Sequence, residues 1–380
     1  MNKEIIVLGD IEMGGGTLTD DFISDKTLAN LILKLSVRRQ PIDLVLNGDT
    51  FDFLKCPYLV ESRVIYPRHI TEEISLGKLN LIYQAHGLVF KVLKKFVSNK
   101  LHELYFIIGN HDYDLVYPKI QKKIRELLGS KNNIHFRVKY QQHEVYIEHG
   151  QQYDLLNKMN FRNLFVTYKG KSLLNLPWLT LGMISRFMSM KEEHPFLERI
   201  NPMPTIFRYH KEAKRKLSWR FIKFILKSIF YNPLRYWGDP TYKLSRNILL
   251  ELYRRILKMS IDLDNIVTIF KLRKRKKNLA KFKVHVLSHI HKRYVEEKKG
   301  WAIIHPDTWR DEYFFDQETK KLTPKTKKYV KINIAEPNPL TWELIEVPIK
   351  RSCFDFSEVI KEEVKYIKLA AKEEGFNLNV

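Results

Sequence analysis

Short apolar segments that stop at polar side chains constrain the fold of this chain more than any other sequence feature. Each is four or five residues long, and a segment with helical spacing of leucines follows the first. The segments, with the polar residue that comes after each, are residues 5–8 before Asp10, residues 43–46 before Asp49, and residues 104–108 before Asn110. Short apolar strands alternating with longer helices are typical of βαβ units. We therefore predict an α/β fold with a buried and largely parallel sheet.

Two further strand regions later in the chain stop at histidines. Alternating apolar residues between 134 and 148 indicate a hairpin that ends before His149. Residues 284–287 form another apolar run, which leads into His289 and His291. Because functional groups gather beyond the carboxyl ends of parallel strands, we expect these polar residues to converge with those of the first segments.

The residues that follow the strands offer oxygen and imidazole ligands. Such ligands suit manganese, iron, zinc or magnesium, and a carboxylate can bridge two ions roughly 3.5–4 Å apart, as in two-metal phosphatases and nucleases. His289 and His291 are two residues apart, so an extended segment would aim both at one side, whereas a loop could aim them at different ions. We predict two divalent metal ions, with manganese first and iron, zinc or magnesium as alternatives.

Five sequence blocks, taken in order, resemble the calcineurin-like metallophosphoesterase superfamily. That superfamily has an Asp-x-His, a Gly-Asp-x-x-Asp, a Gly-Asn-His-Asp/Glu, a later His, and a Gly-His-x-His. The blocks of this chain are Asp10-Ile11-Glu12, Gly48-Asp49-Thr50-Phe51-Asp52, Gly109-Asn110-His111-Asp112, Glu148-His149-Gly150 and Ser288-His289-Ile290-His291. Within the superfamily, residues 148–154 resemble bacterial enzymes similar to the UDP-2,3-diacylglucosamine hydrolases. The resemblance covers both ends of the chain and not the segment between them.

The resemblance implies a fold and a set of roles. The fold is a four-layer αββα sandwich, here with a helical insertion. The implied metal ligands are Asp10 and His291 for the first ion, Asn110, His149 and His289 for the second, and Asp49 as the bridge between them. His111 is implied to be catalytic rather than a ligand, with Asp52 orienting it and Asp112 supporting the site.

Two positions depart from the superfamily pattern. Glu12 stands where the superfamily places a metal-binding histidine, and Ser288 stands where it places a glycine. A glutamate can ligate hard cations through oxygen, so the first site either keeps its ion with a preference shifted away from zinc or binds it weakly. We include Glu12 among the candidate metal ligands.

The middle of the chain has a different character. Residues 158–283 are helix-forming, aromatic and basic, with prolines between them. We predict a split catalytic domain formed by residues 1–157 and 284–350. Residues 158–283 are then a helical basic insertion or lid, and residues 351–380 form a C-terminal helix that packs on the catalytic domain.

Two basic stretches of the insertion each allow two interpretations. Between residues 208 and 227, lysines and arginines are interleaved with aromatic and aliphatic residues. That pattern indicates either a solvated helix face or a surface for peripheral contact with an anionic membrane. The run 271–277 indicates a solvent-exposed loop or a site of phosphate attraction.

Composition limits the class of partner and the compartment. The chain has 66 Lys and Arg against 43 Asp and Glu, a formal net charge of +23 that favours anionic partners such as a phosphorylated substrate, an anionic membrane or nucleic acid. Cys56 and Cys353 form no paired motif, which argues against a disulfide framework and a thiolate zinc site. No apolar stretch reaches the roughly 18 residues of a spanning helix, and the first residues lack a signal-peptide pattern. We expect a cytoplasmic protein with optional peripheral membrane contact.

These inferences together predict a metal-dependent hydrolase of phosphomonoester, phosphodiester or pyrophosphate bonds. A metal-activated hydroxide would attack phosphorus, and His111 would protonate the departing alkoxide. Two alternatives stay open at this point. One is a nuclease acting on DNA or RNA, suggested by the net charge; the other is a metal-poor, non-catalytic scaffold of the same fold, if Glu12 disables the first site.

Overall fold

The protein has a mixed α/β fold in the computed structural model, in agreement with the sequence prediction. The structure describes residues 2–61, 63–202, 209, 211–243, 247–248, 250, 281–335 and 337–378. Strands from the two ends of the chain pair with each other: Asn2–Leu8 runs antiparallel to Lys327–Ala335. The N-terminal and C-terminal parts of the chain are therefore joined in one sheet.

Sheet A is a six-stranded sheet. In spatial order its strands are Thr341–Val347, Lys327–Ala335, Asn2–Leu8, Ile42–Asn47, His102–Ile107 and Ile134–Arg137. The last four are parallel to one another, and the two C-terminal strands are antiparallel. The three apolar segments that opened the sequence analysis are thus neighbouring parallel strands, buried over nearly their whole length.

Sheet B is a five-stranded sheet that packs face to face with sheet A. Its spatial order is Arg293–Lys298, Trp301–Pro306, Val284–Leu287, Val145–Glu148 and Tyr140–Gln142. Because strand side chains alternate, Val7 packs in a cluster with Val286 and Ile304 of sheet B, whereas Ile6 and Leu8 point to the opposite face. The shared core between the sheets fixes how their strand ends meet.

Helices cover the other face of sheet A. They are Asp25–Ser36, Glu72–Ala85, Gly87–Ser98 and Pro118–Leu128, joined by the 3₁₀ turn Tyr113–Val116 and the small hairpin of Tyr58–Val60 and Arg63–Ile65. The last helix starts with proline, buries Ile120, Ile124 and Leu128 on one face, and stops at Gly129 in the left-handed region (φ 70°). A second helical layer, on the outer face of sheet B, is not seen in the described part of the chain, so the four-layer sandwich stays a prediction.

The predicted hairpin between 134 and 148 is partly wrong. Ile134–Arg137 pairs in parallel with His102–Ile107 in sheet A, and the hairpin consists of Tyr140–Gln142 and Val145–Glu148 in sheet B. The chain crosses from one sheet to the other between these strands. Alternation of apolar residues identifies a strand but contains no information about its partner, which explains the error.

The insertion is helical in part and begins with a hairpin that the sequence reasoning missed. Its described elements are strands Phe165–Tyr168 and Lys171–Leu174, helix Trp178–Glu193, strand Ile200–Asn201, helix Lys211–Leu226, the π-helical turn Lys227–Tyr231, helix Asn232–Arg235 and the 3₁₀ turn Pro240–Tyr242. The basic run 271–277 and His210 lie outside the described residues. Across the described ranges, no helix has the length and apolar character needed to cross a bilayer.

The C-terminal segment forms two helices where one was predicted. Phe356–Lys361 and Glu363–Glu373 meet at Glu362, which is not helical (φ −136°). They pack on a small four-stranded sheet that the sequence analysis did not predict, made of Ile200–Asn201, Tyr313–Phe315, Lys321–Pro324 and Phe354–Asp355. Met190 and Phe196 of the insertion belong to the same apolar cluster, so the C-terminal helices contact the insertion as well.

Candidate metal centre

The predicted ligands lie on loops at the carboxyl ends of strands in both sheets. The residues and the strands before them are Asp10 after Asn2–Leu8, Asp49 after Ile42–Asn47, Asn110 after His102–Ile107, His149 after Val145–Glu148, and His289 and His291 after Val284–Leu287. Because the two sheets pack face to face, their rows of strand ends lie side by side. The structure therefore brings these sequence-predicted residues into one region.

One group of side chains surrounds His149. Its Nε2 lies 3.0 Å from Asp49 Oδ2 and 3.2 Å from Asn110 Oδ1. Its Nδ1 lies 3.0 Å from the carbonyl oxygen of Asn47, which can only accept a hydrogen bond. In the neutral ring the proton is therefore on Nδ1, and the lone pair of Nε2 faces Asp49 and Asn110. Asp49, His149 and His289 each place a ligand atom within 4.8 Å of the others. This group can hold one divalent cation.

A second group adjoins the first and contains Asp10, Glu12 and His291. Nε2 of His291 lies 3.5 Å from Asp10 Oδ1 and 3.3 Å from Glu12 Oε1. The backbone N–H of His289 donates to both carboxylate oxygens of Asp10, at 3.0 and 3.2 Å. Glu12 is fully buried, and its Oε1 faces His291 Nε2. Two buried carboxylates that converge with an imidazole are a ligand set that also fits a metal ion.

Two basic side chains hold the other oxygen of Glu12. Lys55 Nζ lies 2.9 Å and Arg310 Nε lies 3.8 Å from Glu12 Oε2. Burial alone would raise the pKa of Glu12, but Lys55 and Arg310 hold it well below its usual range, so the carboxylate is ionised. Sequence reasoning missed both residues. The sequence signal available for Lys55 was its position three residues after Asp52. The signal available for Arg310 was its position after the strand Trp301–Pro306, which the sequence analysis did not predict.

Lys55 also belongs to a buried charge network that reaches the insertion. It contacts Asp21 and Glu198, and Lys191 from helix Trp178–Glu193 contacts the same two acids. The side chains of Lys55, Lys191 and Asp21 are almost fully buried. Removing one member would leave an uncompensated buried charge, which is strongly destabilising. The insertion is therefore fixed against the wall of the metal centre by charge as well as by packing.

His111 lies beside the two groups of ligands and keeps access to solvent. Its Nδ1 lies 3.1 Å from Asp52 Oδ1, and its side chain is 19% exposed. Burial opposes protonation, but Asp52, Glu12 and Asp49 raise the pKa of His111 to about 9. Glu12, Asp52 and His111 also place ligand atoms within 4.8 Å of one another, so the geometry allows His111 to be a ligand instead of an acid.

Asp112 ties together two of the loops that carry ligands. Its Oδ1 accepts a hydrogen bond from the N–H of Gly109 at 2.7 Å, and its Oδ2 accepts one from the N–H of Thr50 at 2.8 Å. Burial and the nearby charge of Asp49 raise the pKa of Asp112 to about 7. The structure thus gives Asp112 one hydrogen bond to each of these two loops.

The backbone is strained at these loops. The predicted ligands with φ in the left-handed region are Asp10 (51°), Glu12 (59°), Asp49 (49°), His289 (75°) and His291 (49°). Non-glycine residues rarely adopt this region, and each such residue costs of order 1–3 kcal/mol. Strain of this kind persists only where surrounding contacts impose it and clusters at functional sites. Of the eleven non-glycine residues with positive φ in the described part of the chain, five are predicted ligands.

Two glycines permit the loops to approach each other. A Cβ on Gly48, which has φ 77°, would lie 2.4 Å from the ring of His149. A Cβ on Gly109 would lie 2.0 Å from Oδ1 of Asp49. Ser288 occupies the place of a superfamily glycine without blocking the site, because its Oγ accepts a hydrogen bond from Asn47 at 3.1 Å.

Comparisons with known proteins add little to this geometry. No family model matches the chain, and no curated protein matches it. Among solved structures, it is similar to a Staphylococcus aureus protein described as a 5′-nucleotidase, crystallised with α-ketoglutarate, at 12% sequence identity and a TM-score of 0.30. That match covers 96% of this chain and 58% of the solved chain.

Proposed function

We propose that the protein is a hydrolase of phosphomonoester, phosphodiester or pyrophosphate bonds that uses two divalent metal ions. The observation that carries the proposal is that Asp49 contacts both groups of buried candidate ligands, one through its carboxylate and the other through its backbone. Its Oδ2 contacts His149 of one group, while its backbone carbonyl accepts a hydrogen bond from the N–H of Glu12 in the other at 2.7 Å. The groups also adjoin directly, since Asp10 Oδ1 lies 3.7 Å from His149 Nδ1.

The residues divide into two sets that would hold different ions. The first set is Asp10, Glu12 and His291, the second is Asn110, His149 and His289, and Asp49 serves both. Two cations held close together would polarise the phosphoryl oxygens and supply hydroxide near neutral pH. The first set is richer in oxygen and the second is richer in imidazole, so we expect the first to favour a harder ion such as manganese or magnesium.

Glu12 acts in this proposal as a ligand through one oxygen. Lys55 and Arg310 hold Oε2, which leaves Oε1 facing His291. The two basic side chains also offset the negative charge that glutamate brings in place of a neutral histidine.

His111 would act as the general acid. In the metal-free protein the pKa of His111 is raised to about 9, and Asp52, which is not among the proposed ligands, would still favour the protonated ring and orient it through Nδ1. The opposite ring nitrogen can then give its proton to the departing alkoxide oxygen. Because the side chain retains solvent access, it can regain a proton after each turnover.

Hydrolysis of small chromogenic esters tests the proposal. The purified protein should hydrolyse bis-p-nitrophenyl phosphate or p-nitrophenyl phosphate with manganese present, and chelation by EDTA should stop it. Asp49→Ala should abolish turnover. Asp316→Ala is the matched control, because Asp316 lies in the turn between strands Tyr313–Phe315 and Lys321–Pro324, where it accepts local hydrogen bonds from Glu318 and Thr319, and it should behave as wild type.

Two other outcomes would favour the alternatives. Cleavage of DNA or RNA with both small esters left intact would make the protein a nuclease, as its charge of +23 suggests. No turnover of any of these substrates with added manganese would contradict the hydrolase proposal and leave the scaffold.

A further inference from the structure

The described part of the insertion presents an unusually apolar surface to solvent. We call it the exposed face; its large apolar side chains are Trp219, Ile222, Leu226, Ile229, Phe230, Tyr231, Leu234, Tyr236 and Trp237. Trp237 is 85% exposed and Leu234 is 83% exposed. Single exposed apolar residues are ordinary, but nine large ones between residues 219 and 237 are typical of an interaction surface. Leu217, Phe221 and Ile225, which the sequence analysis grouped with these residues, have side chains outside the described set.

Ion pairs connect helix Lys211–Leu226 to an earlier helix of the insertion, since Lys216 and Arg220 pair with Glu193. The apolar side chains Trp219 and Ile222 of the same helix are exposed. In the described part of this helix, large apolar side chains therefore face solvent, where an amphipathic surface helix normally presents polar ones.

The far end of the segment is also attached by polar contacts. Arg68 Nε donates to Thr241 Oγ1 at 3.0 Å, and its guanidinium lies 3.7 Å from the ring centre of Tyr242. His69 Nε2 lies 2.7 Å from Asp239 Oδ2. The exposed face is therefore held at both ends and presented outward by the fold.

The segment that carries the exposed face is strongly basic. Residues 211–243 contain nine lysines and arginines against two acidic residues. Lys223 and Lys227 are exposed beside the apolar side chains, and Asp239, one of the two acids, is buried against His69. Basic and aromatic residues together on one amphipathic surface fit the interface of an anionic bilayer, where the rings lie at the headgroups and the cations meet lipid phosphates.

We propose that the exposed face docks on the surface of an anionic lipid bilayer. A second copy of the chain is disfavoured as the occupant, because it would bring two strongly basic segments together. The phosphates of a nucleic acid would pair with the lysines and arginines, and its bases could stack on the aromatic rings. Ile222, Leu226 and Leu234, however, have no counterpart on a base or a phosphate. Acyl chains bury such aliphatic side chains. Of these three partners, the bilayer alone therefore matches both the basic and the apolar side chains of the exposed face.

Co-sedimentation with vesicles tests the proposal without reference to catalysis. The full-length protein should bind vesicles of phosphatidylcholine with phosphatidylglycerol and should not bind phosphatidylcholine alone. The double variant Leu234→Ser with Trp237→Ser should bind the anionic vesicles about tenfold or more weakly. Serine does not gain the free energy that a large apolar side chain gains on transfer from water into the bilayer. Val37→Ser with Phe314→Ser is the matched control, because these residues are 66% and 57% exposed elsewhere, and it should bind as wild type.

A charge-reversal pair separates electrostatic from apolar binding. Lys223→Glu with Lys227→Glu should weaken binding to the anionic vesicles about tenfold or more. Lys91→Glu with Lys95→Glu has the same spacing on exposed positions of helix Gly87–Ser98 and should have a much smaller effect.

Three results would overturn the proposal. The first is no binding to anionic vesicles at physiological salt, and the second is binding that the serine pair in the exposed face leaves unchanged. The third is a different partner on the same surface. Wild type would then form a dimer in sedimentation velocity or a complex with RNA, and the same serine pair would abolish that association while leaving vesicle binding intact. Because binding is measured without hydrolysis, failure here would leave the proposed phosphoesterase activity untouched, and the converse also holds.

Discussion

Substituting Gly109 with alanine should damage the metal centre through one added methyl group. The new Cβ would lie 2.0 Å from Asp49 Oδ1 and 2.5 Å from the backbone nitrogen of Asp49. Asp49 cannot easily move, because its φ of 49° and its hydrogen bond from the N–H of His111 at 2.8 Å fix it. Overpacking of this kind costs about 1–3 kcal/mol of folding free energy. Displacing the Asp49 carboxylate, which we propose as the bridge, should also reduce manganese affinity by about 10–100-fold, as changes around a metal ligand do.

Isothermal titration with manganese, together with urea unfolding of the metal-free protein, measures both effects. Gly87→Ala is the matched control, because a Cβ there meets nothing within 4 Å at the start of helix Gly87–Ser98. That variant should be as stable as wild type or more stable by up to about 1 kcal/mol, with manganese affinity unchanged. If Gly109→Ala binds manganese as tightly as wild type, Asp49 is not a ligand in the arrangement described, and the reasoning fails.

Three further substitutions test other parts of the site and the fold. His111→Asn should lower turnover by about 10²–10⁴-fold with metal content unchanged, whereas His143→Asn in the hairpin turn should do neither; metal loss in His111→Asn would make His111 a ligand. Lys55→Met should weaken binding of the first manganese ion by releasing Glu12. Lys191→Met is the control, because Lys191 belongs to the same charge network but does not contact Glu12, and it should retain two ions. Equal loss of manganese in both variants would show that the network has only a structural role. His86 lies between Asp20 and Asp25, and although burial opposes protonation these acids raise its pKa to about 10. Its stabilising charge is therefore complete below its ordinary pKa of about 6.5 and lost as pH rises through about 10, so the free energy of unfolding of wild type relative to His86→Gln should fall by up to about 1.4 kcal/mol per pH unit across that window. A pH-independent difference in urea unfolding would contradict this.

Local sequence was informative wherever a short strand led into a loop that carries a candidate ligand. The strands before Asp10, Asp49 and Asn110 are short apolar runs, and each ends two or three residues before that candidate ligand. Because parallel strand ends meet at one edge, convergence of the ligands could be inferred without coordinates. His289 and His291 were predicted in the same way from Val284–Leu287.

Contacts between distant parts of the chain could not be read from the sequence. Arg310 reaches Glu12 only because sheet B folds against sheet A, and Lys191 reaches Asp21 only because the insertion packs back on the catalytic loops. The parallel pairing of Ile134–Arg137 depends on the same tertiary arrangement. Neither an alternation pattern nor a lone basic residue indicates, in the local sequence, which residue it will contact. These contacts could therefore be identified only from the structure.

Metal content of the purified protein after equilibrium with manganese tests the central claim most directly. The account predicts two ions per chain by elemental analysis, and predicts that Asp49→Ala loses both because one carboxylate serves both groups. Less than one ion per wild-type chain, or two ions that survive Asp49→Ala, would contradict it.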